Sequence, residues 1–445
     1  MNRQLDVLGT AAVECGQEPL EGNYFVAAYP PFSCWNRPDV ASLRRVLNKP
    51  GDSSNKLGIY VHIPFCVERC AYCYYMSHDD KGGEIRPYLD AMIDELSMYA
   101  RMPALTGRTP DFVYFGGGTP SMLSIPRIER LIRGLRSSLP WTESSEVTFE
   151  CAPKSVTVEK MRLLRALGVT RLSLGVQQLD DRILKLNGRV HLTEDVLRAY
   201  QIIRNAGFDV VNVDLIVGLV GETEQTFDRS LSRVIDMAPD SVTLYQLEIP
   251  RNTKLAHQLR EQTLSDPIPS WPTKNARLTA AFEQLARVGY HQQSAYTMVR
   301  DPQKHRFQYM GEQYRGADLI GIGASSFGYV DGVHYQNAGR LNEYMNRIND
   351  DDLPVDRAYA LAKYDQIVRE FVLQLKLGEL DLEYFQRKFD VNARRLFAEP
   401  LQQMAAHGRL QFDGHQIKLS TSGLVQIDRL IPAFYPLAHQ RVGYW

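Results

Sequence analysis

The chain has 445 residues, with 51 Lys and Arg against 52 Asp and Glu, which suffices for a large core and is too long for one small domain. The near balance of charge, without a basic tail or stripe, argues against a nucleic-acid partner. No apolar run approaches the roughly 20 residues of a membrane span, and the N-terminus lacks the build of a signal peptide, so the sequence predicts a cytoplasmic enzyme.

The first 56 residues form an irregular segment rich in Pro and aromatic side chains. From Leu57 to Pro250, short apolar or β-branched runs typical of buried parallel strands alternate with helical patterns. The predicted strands are 58–63, 112–115, 146–151, 171–176, 210–218 and 241–249, and the predicted helices are 86–101, 125–138, 158–167, 193–206 and 226–237. Six such units are fewer than the eight of a closed barrel. The pattern therefore predicts an α/β fold, either an open sheet or a partial (β/α)6 barrel.

Two further regions follow the predicted barrel of 57–250. Residues 251–350 contain a helix-like stretch, 274–287, a strand-like stretch, 290–299, and the Gly-rich run 316–323, and are interpreted as an extension of the barrel. Residues 351–445 show helical patterns, a hairpin at 410–419 and a last helix that opens at Thr421. This pattern predicts a small helical, winged-helix-like C-terminal module, for which the balanced charge favours a packing or lid role over DNA binding.

Three cysteines, Cys66, Cys70 and Cys73, stand within eight residues directly after the first predicted strand. Three thiolates at this spacing can hold a cubic iron–sulfur cluster and leave one iron open to a small molecule. A zinc site usually takes four ligands and shows a second pair, whereas the remaining cysteines, Cys15, Cys34 and Cys151, are isolated. Disulfides would require an oxidising compartment. A cluster is therefore favoured over zinc or structural cysteines.

A glycine run, Gly116 to Gly118, followed by Thr119 and Pro120, comes directly after the second predicted strand. It matches neither a phosphate loop nor a dinucleotide fingerprint. Glycine lets the backbone approach a ligand closely, and functional groups of α/β sheets gather at the C-terminal ends of the strands. Beside the cysteines, a turn that faces a ligand is favoured over a simple tight turn.

Polar side chains also mark the later strands. Glu150 and Gln177 close strands three and four, and Asp214 lies in strand five among apolar residues. Burying an unpartnered carboxylate costs several kcal/mol, so a ligand with an amino group, ribose hydroxyls and adenine would satisfy all three. Arg189 could bind a ligand carboxylate or form a structural salt bridge. His191 and His334 have no ligand spacing and are interpreted as structural.

The cysteine motif and the Gly-Gly-Gly-Thr-Pro run on the next strand resemble those of radical S-adenosylmethionine (SAM) enzymes. Longer strings that begin at Tyr60, Tyr114, Gly175 and Val213 are similar to the oxygen-independent coproporphyrinogen III dehydrogenase superfamily. This superfamily includes heme chaperones and the class C radical SAM methyltransferases. The resemblance is close over about 57–337 and looser in the C-terminal module.

The resemblance implies a [4Fe–4S] cluster on Cys66, Cys70 and Cys73, with SAM on the open iron as the source of a 5′-deoxyadenosyl radical. It further implies a monomer reduced by an electron donor such as flavodoxin or ferredoxin. By motif position, the residues that would line the first SAM are Tyr60, Tyr72, Gly117, Gly118, Thr119, Glu150, Gln177, Arg189 and Asp214. A second SAM would lie near Ile216, Glu248 and Phe327, which makes two per chain.

The branch within the superfamily is predicted from a motif in which this sequence differs from the coproporphyrinogen dehydrogenases. The coproporphyrinogen dehydrogenases have Gly-Cys-Asn after the third cysteine, whereas Tyr74-Tyr75-Met76 stands here. Strings that begin at Tyr245, Ser294 and His334 resemble the methyltransferase and cyclopropanase branch. The resulting prediction is a class C C-methyltransferase that acts on an sp² carbon of a small aromatic, quinone or unsaturated substrate.

In that reaction a proton must leave the substrate, and Tyr296, Glu248 or a fragment of the second SAM would accept it; the sequence does not choose among them. Two alternatives to the methyltransferase remain open. One is a tetrapyrrole enzyme similar to oxygen-independent coproporphyrinogen III dehydrogenase, and the other is a heme chaperone.

Overall fold

The computed structural model describes residues 20–22, 24–75, 77–78, 82–142 and 144–440. Residues 1–19, which include Cys15, and residue Met76 are not among the described residues. The predictions that concern them therefore lie outside the described part of the chain. In the described part, no helix is both long and apolar enough to cross a membrane.

A single 12-stranded sheet forms the centre of the molecule. Its strands are β1 (Leu57–Ile63), β2 (Phe112–Gly117), β3 (Glu146–Cys151), β4 (Arg171–Gln177), β5 (Val210–Val217), β6 (Ser241–Gln246), β7 (His291–Gln292), β8 (Thr297–Val299), β9 (Asp318–Ile322), β10 (Phe327–Val330), β11 (Val333–Asn337) and β12 (Val355–Ala360). The spatial order is β12-β11-β10-β9-β1-β2-β3-β4-β5-β6-β8-β7. Strands β1 to β6 are parallel, and β9 joins them in parallel beside β1.

Helices cover this sheet. Those before the C-terminal module are α1 (Val40–Leu47), α2 (Ile85–Ala100), α3 (Ile125–Ser138), α4 (Val158–Ala166), α5 (Asp181–Leu186), α6 (Thr193–Ala206), α7 (Glu224–Met237), α8 (Lys254–Arg260), α9 (Trp271–Arg287), α10 (Gln308–Tyr314) and α11 (Leu341–Asn349). Their apolar residues recur at helical spacing: α3 buries Ile128, Leu131, Ile132 and Leu135, one face of a 3.6-residue period. The opposite faces carry the charges.

The predicted α/β fold with a partial barrel is confirmed. All six predicted strands and all five predicted crossover helices are present, with ends that differ by a few residues. The predicted strand 290–299 is instead two short strands, β7 and β8. The interruption has a local cause, because the Ser294 hydroxyl accepts hydrogen bonds from the backbone N–H groups of Tyr296 (3.2 Å) and Thr297 (3.1 Å) and so stabilises a turn.

The C-terminal module consists of helices and a small antiparallel sheet. Its helices are α12 (Lys363–Leu375), α13 (Leu382–Phe389), α14 (Ala393–Leu396), α15 (Ala398–Ala406), α16 (Thr421–Val425), α17 (Ile427–Leu430) and α18 (Leu437–Gln440), and its strands are β13 (Glu379–Asp381), β14 (Leu410–Asp413) and β15 (Gln416–Leu419). Its core contains Phe371, Phe385 and Phe397, packed together with Val26 and Tyr29 of the N-terminal segment. Strand β12, which falls within the predicted region 351–445, belongs to the large sheet, and the elements of the small sheet and its helices follow after Ala360.

A buried carboxylate on helix α2 joins this helix to strand β11 and helix α11. Glu95 is fully buried and accepts hydrogen bonds from the Gly323 N–H (2.8 Å), the Asn337 side-chain amide (2.6 Å) and the Tyr344 hydroxyl (2.5 Å). Burial outweighs these three donors and raises the pKa of Glu95 to about 8. The carboxyl therefore keeps its proton in the folded state over a pH range in which an unfolded chain would lose it.

Stability should consequently fall as the pH rises from about 4.5 to about 8, because the folded state binds the additional proton in this range. The Glu95→Gln variant cannot titrate here. Its free energy of unfolding should lack this part of the decline, a difference of about 1 kcal/mol per pH unit. Urea unfolding of both proteins at several pH values measures it, and two parallel curves would contradict the raised pKa.

Candidate active site

One large cavity opens at the C-terminal ends of the parallel strands. It encloses about 1760 Å³ of empty space, part of which is open to solvent. Its walls contain thirteen of the residues predicted from the sequence for the cluster, for SAM or as proton acceptors: Cys70, Tyr72, Cys73, Gly117, Gly118, Thr119, Glu150, Gln177, Arg189, Asp214, Ile216, Glu248 and Tyr296. The fold thus brings these residues to one place.

Three predicted residues are not in the cavity wall. Cys66 adjoins it, because its Sγ lies 3.4 Å from the hydroxyl of Thr119. Tyr60 is half-buried, and its hydroxyl forms a hydrogen bond with His62 Nδ1 at 2.9 Å. Phe327 was predicted to contact a second SAM, but it stacks on Phe32 with ring centroids 4.5 Å apart. The assignment of Phe327 to a second SAM stays a prediction.

The cysteine loop is fixed by backbone hydrogen bonds. The Cys66 N–H donates to the His78 carbonyl (3.1 Å), and the Ala71 N–H donates to the Asn187 carbonyl (3.2 Å). All three thiols are free and half-buried. Burial raises the pKa of the Cys66 thiol, and it raises that of Cys73 to about 11. These thiols would become thiolates only beside a strong source of positive charge, which bound iron provides.

The donor arrangement suits a cluster better than a single ion. Within the described part of the chain, no three Cys, His, Asp or Glu side chains converge on a point where they could hold one metal ion. A structural zinc site requires such convergence. In a cubane, each thiolate binds its own iron, so its ligands need not meet at one point. Cys66, Cys70 and Cys73 therefore fit the predicted cluster.

The glycine turn packs tightly against the strand that precedes the cysteines. A Cβ atom on Gly118 would lie 2.6 Å from the Phe65 carbonyl oxygen and 2.9 Å from that of Ile63. Gly117 has φ +108°, and a Cβ there would lie 2.7 Å from the His62 ring. Glycine is thus required for close packing of β2 on β1, a reason that the sequence did not reveal, and the turn still lines the cavity.

Two half-buried carboxylates lie in the cavity wall. Asp214, for which the sequence predicts a partner in the ligand, accepts hydrogen bonds from the Ser173 hydroxyl (2.8 Å) and the Asn212 amide (2.7 Å). Glu150 accepts one from the Tyr114 hydroxyl (2.6 Å). Burial raises the pKa of Asp214 to about 6 and that of Glu150 to about 7. Such shifted carboxyl groups in a cleft are typical of functional sites.

The wall between these carboxylates and the cysteine loop holds polar atoms suited to a ligand. Arg189 donates from Nη1 to the Cys70 sulfur (3.1 Å) and from Nη2 to the Gly175 carbonyl (3.1 Å). Among the described residues, Arg189 Nε and Thr148 Oγ1 are buried and have no hydrogen-bond partner. Gln177 adopts the left-handed conformation (φ 66°) at an irregularity between β4 and β5. Unsatisfied polar atoms and a strained residue are expected where a polar cofactor binds, so the wall fits SAM.

The two histidines interpreted as structural have the expected contacts. His191 is buried and bonds the Val176 carbonyl at 3.0 Å. His334 is buried, bonds the Tyr29 carbonyl at 3.1 Å and stacks on Trp35 with centroids 4.8 Å apart.

Sequence reasoning missed several cavity residues from distant parts of the chain. Asp428 of helix α17 and Phe25 of the N-terminal segment both line the cavity. The Asp428 carboxylate accepts hydrogen bonds from Tyr296 and from the Val26 N–H (2.9 Å), and it pairs with Lys376 at 2.7 Å. The partners of Asp428 lie 52 to 402 positions away in the sequence, so no local pattern could have indicated them.

The two candidate proton acceptors differ in their surroundings. The Tyr296 hydroxyl donates to Asp428, and burial raises the pKa of Tyr296 well above its usual value. Glu248 accepts a hydrogen bond from the Tyr24 N–H at 3.0 Å, and burial, with a contribution from Asp428, raises its pKa to about 8. Both groups therefore hold a proton near neutral pH.

Comparison with known proteins agrees with this site. A model of the radical SAM superfamily matches residues 60–234, and a model of the HemN C-terminal domain matches 361–425. The chain is 32% identical to the heme chaperone HemW of Escherichia coli over 284 residues, which cover 62% of this chain and 70% of that protein. It is 27% identical to the oxygen-independent coproporphyrinogen III oxidase of Pseudomonas aeruginosa over 88% of this chain and 89% of that protein.

A solved structure extends this similarity. The coproporphyrinogen III oxidase (HemN) of Escherichia coli superposes with a TM-score of 0.79 at 26% identity, over 92% of this chain and 96% of that one. The parallel sheet, the cysteine loop and the glycine turn thus define a radical SAM enzyme. The chain belongs to the radical SAM superfamily, in the group that contains coproporphyrinogen III oxidase and HemW, and membership implies a [4Fe–4S] cluster and SAM.

The methyltransferase prediction is wrong. The relatives that match along most of their length are named as heme chaperones and coproporphyrinogen III oxidases. Several residues of the strings that suggested the methyltransferase branch have structural roles. Thr253 caps helix α8 through a hydrogen bond from the Ala256 N–H, Ser294 stabilises the turn before β8, and Asn337 bonds the buried Glu95.

Proposed function

We propose that this protein is a radical SAM oxidoreductase that acts on a tetrapyrrole of the porphyrinogen type. The observation that carries the proposal is the similarity to the coproporphyrinogen III oxidase (HemN) of Escherichia coli over 92% of this chain. The cavity beside the cysteine loop, which Cys70, Glu150 and Arg189 line, is a place where SAM and a substrate can meet. The similarity to proteins named oxygen-independent coproporphyrinogen III oxidase supports this substrate class.

In this proposal, Cys66, Cys70 and Cys73 hold the cluster. Arg189, Gln177, Glu150 and Asp214 would bind SAM, and Ile216 and Glu248 would face a second SAM or the substrate. Together these cofactors supply one-electron chemistry that removes a hydrogen atom from an unreactive carbon. The protein contributes position and exclusion of water, because the carboxylates and the arginine are held by fixed neighbours in the wall.

The direct test is anaerobic turnover of the reconstituted protein with SAM, coproporphyrinogen III, a low-potential reductant that supplies the electron for SAM cleavage, and an electron acceptor that takes up the electron released with carbon dioxide. We expect porphyrinogen consumption and carbon dioxide release in step with 5′-deoxyadenosine. S-adenosylhomocysteine should not accumulate. Uncoupled SAM cleavage with unchanged porphyrinogen would contradict the proposal.

A heme chaperone is the second candidate, favoured by the 32% identity to HemW. For a heme chaperone, porphyrinogen would remain unconsumed in the turnover experiment. Heme titrated into the protein would give a shifted Soret band at a ratio of one heme per chain. The two candidates are therefore separated by one set of measurements.

The proposed role of Glu150 predicts a pH-dependent affinity for SAM. A positively charged amino group binds best to an ionised carboxylate, and the pKa of Glu150 is raised to about 7, so affinity should weaken as the pH falls below this value. The Glu150→Gln variant should bind SAM about tenfold more weakly at higher pH, as expected for a lost charge-assisted hydrogen bond. Calorimetric titration of reconstituted protein measures both effects.

Glu222 provides a matched control. Burial also raises its pKa to about 7, but it pairs with Arg277 at 2.9 Å outside the cavity wall. Glu222→Gln should therefore leave the affinity for SAM and its pH dependence unchanged. If both variants changed the affinity equally, the assignment of Glu150 to SAM would be wrong.

A further inference from the structure

Two tyrosine rings in the cavity wall are exposed to the cavity. Tyr75, two residues after the last cysteine of the motif, is 42% exposed, and Tyr245 near the end of β6 is 39% exposed. Both line the cavity. Aromatic rings normally bury most of their surface, and open aromatic surface in a cleft is typical of a binding site.

Each of these rings is supported from behind by a second tyrosine. Tyr75 stacks on Tyr74 with ring centroids 4.5 Å apart and an angle of 25° between the planes. Tyr245 stacks on Tyr296 at 6.1 Å and 25°. These are offset-stacked arrangements, which hold the outer rings in defined planes.

The two exposed rings belong to the wall of one cavity and do not stack on each other. Among the described residues, no ring contact joins Tyr75 to Tyr245, and each ring stacks on a different tyrosine. Both rings therefore offer open aromatic surface to a ligand in the same cavity.

We infer that Tyr75 and Tyr245 form an aromatic clamp that holds a flat aromatic ring of the substrate. The clamp lies beside Cys73, where a substrate must lie to react. A pyrrole ring is flat and aromatic, so the inference rests on the proposed function when the ring belongs to a tetrapyrrole. It also explains why two tyrosines follow Cys73 in place of the small and polar residues of the coproporphyrinogen dehydrogenase motif.

The test measures binding of two flat ligands to the full-length reconstituted protein. The probes are protoporphyrin IX, followed by its fluorescence, and 2-naphthoate, with its saturated analogue decahydronaphthoate as a non-aromatic control. Tyr75→Leu and Tyr245→Leu should each weaken binding of the flat ligands about tenfold, because a stacked ring pair adds this order of affinity. Tyr75→Phe and Tyr245→Phe keep the ring and should bind within about threefold of the parent.

Tyr364 is the matched control, since it is similarly exposed (45%) but lies outside the cavity wall. Tyr364→Leu should bind both flat ligands as the parent does. Iron content and melting temperature establish that each variant is folded and loaded. Decahydronaphthoate should bind weakly and should not distinguish the Tyr→Leu variants from the parent.

The outcomes separate the clamp from the proposed function. Naphthoate binding that depends on the clamp, without binding of the porphyrin, would support the clamp and overturn the tetrapyrrole proposal. Porphyrin binding of equal affinity in the parent and the Leu variants would support the tetrapyrrole proposal and overturn the clamp. Failure of the parent to bind either flat ligand, or displacement of naphthoate by SAM, would overturn the clamp as a substrate site.

Discussion

Replacement of Cys66, Cys70 or Cys73 by Ala is expected to abolish the iron–sulfur cluster and SAM cleavage. Three thiolates are the smallest protein ligand set that holds a cubane with one open iron, and the loop contains no other cysteine. Iron and sulfide content after anaerobic reconstitution, together with the visible absorbance, measures the first effect. Formation of 5′-deoxyadenosine measures the second.

The chain contains two matched controls for the cysteine variants. Cys34 is free and belongs to the N-terminal segment, and Cys151 is free and buried at the end of β3. Ala at either position should leave the iron content at the parental level, although Cys151→Ala removes a buried side chain at the edge of the cavity. A Cys73→Ala protein that cleaved SAM at the parental rate would show that the motif has been misinterpreted.

The barrel strands could be predicted because each carries its own signal. Strands β1 to β6 are apolar or β-branched runs bounded by helical patterns, and the structure buries almost every residue in them. Strand β9 was not predicted. Its sequence, Asp318–Ile322, lies in a glycine-rich run, and it becomes a strand because it pairs with both β1 and β10. Strand β9 therefore forms because of tertiary contacts, which no local sequence pattern shows.

The residues of the site also divide into those with a local sequence pattern and those that only folding brings together. The cysteines and the glycine turn have local patterns with few alternative interpretations, so they were found from the sequence. Asp428 and Phe25 reach the cavity from opposite ends of the chain, and only the folded arrangement brings them together. The substrate class was predicted wrongly because strings around Ser294 and His334 were interpreted as functional, whereas a turn and a buried strand determine them.

The second large effect concerns a buried ion pair of the C-terminal module, whose carboxylate lies in the cavity wall. The Lys376 side chain is fully buried, and its Nζ lies 2.7 Å from Asp428 and 2.7 Å from the Val26 carbonyl. The same amine lies over the Phe25 ring, 4.3 Å from its centroid. Lys376 thus connects the module, the N-terminal segment and the cavity wall.

Lys376→Met should lower the free energy of unfolding by about 3–5 kcal/mol, because it leaves the Asp428 carboxylate without its countercharge in a largely buried position. The double variant Lys376→Met/Asp428→Asn contains no unpaired charge and should recover much of this loss, which gives a coupling energy that a double-mutant cycle measures by urea unfolding. Lys418, which pairs with Asp413 at 2.9 Å on the surface, is the matched control, and Lys418→Met should cost no more than about 1 kcal/mol. If Lys376→Met cost as little as Lys418→Met, or if the substitutions at Lys376 and Asp428 were additive, the two side chains would not form a strongly coupled ion pair.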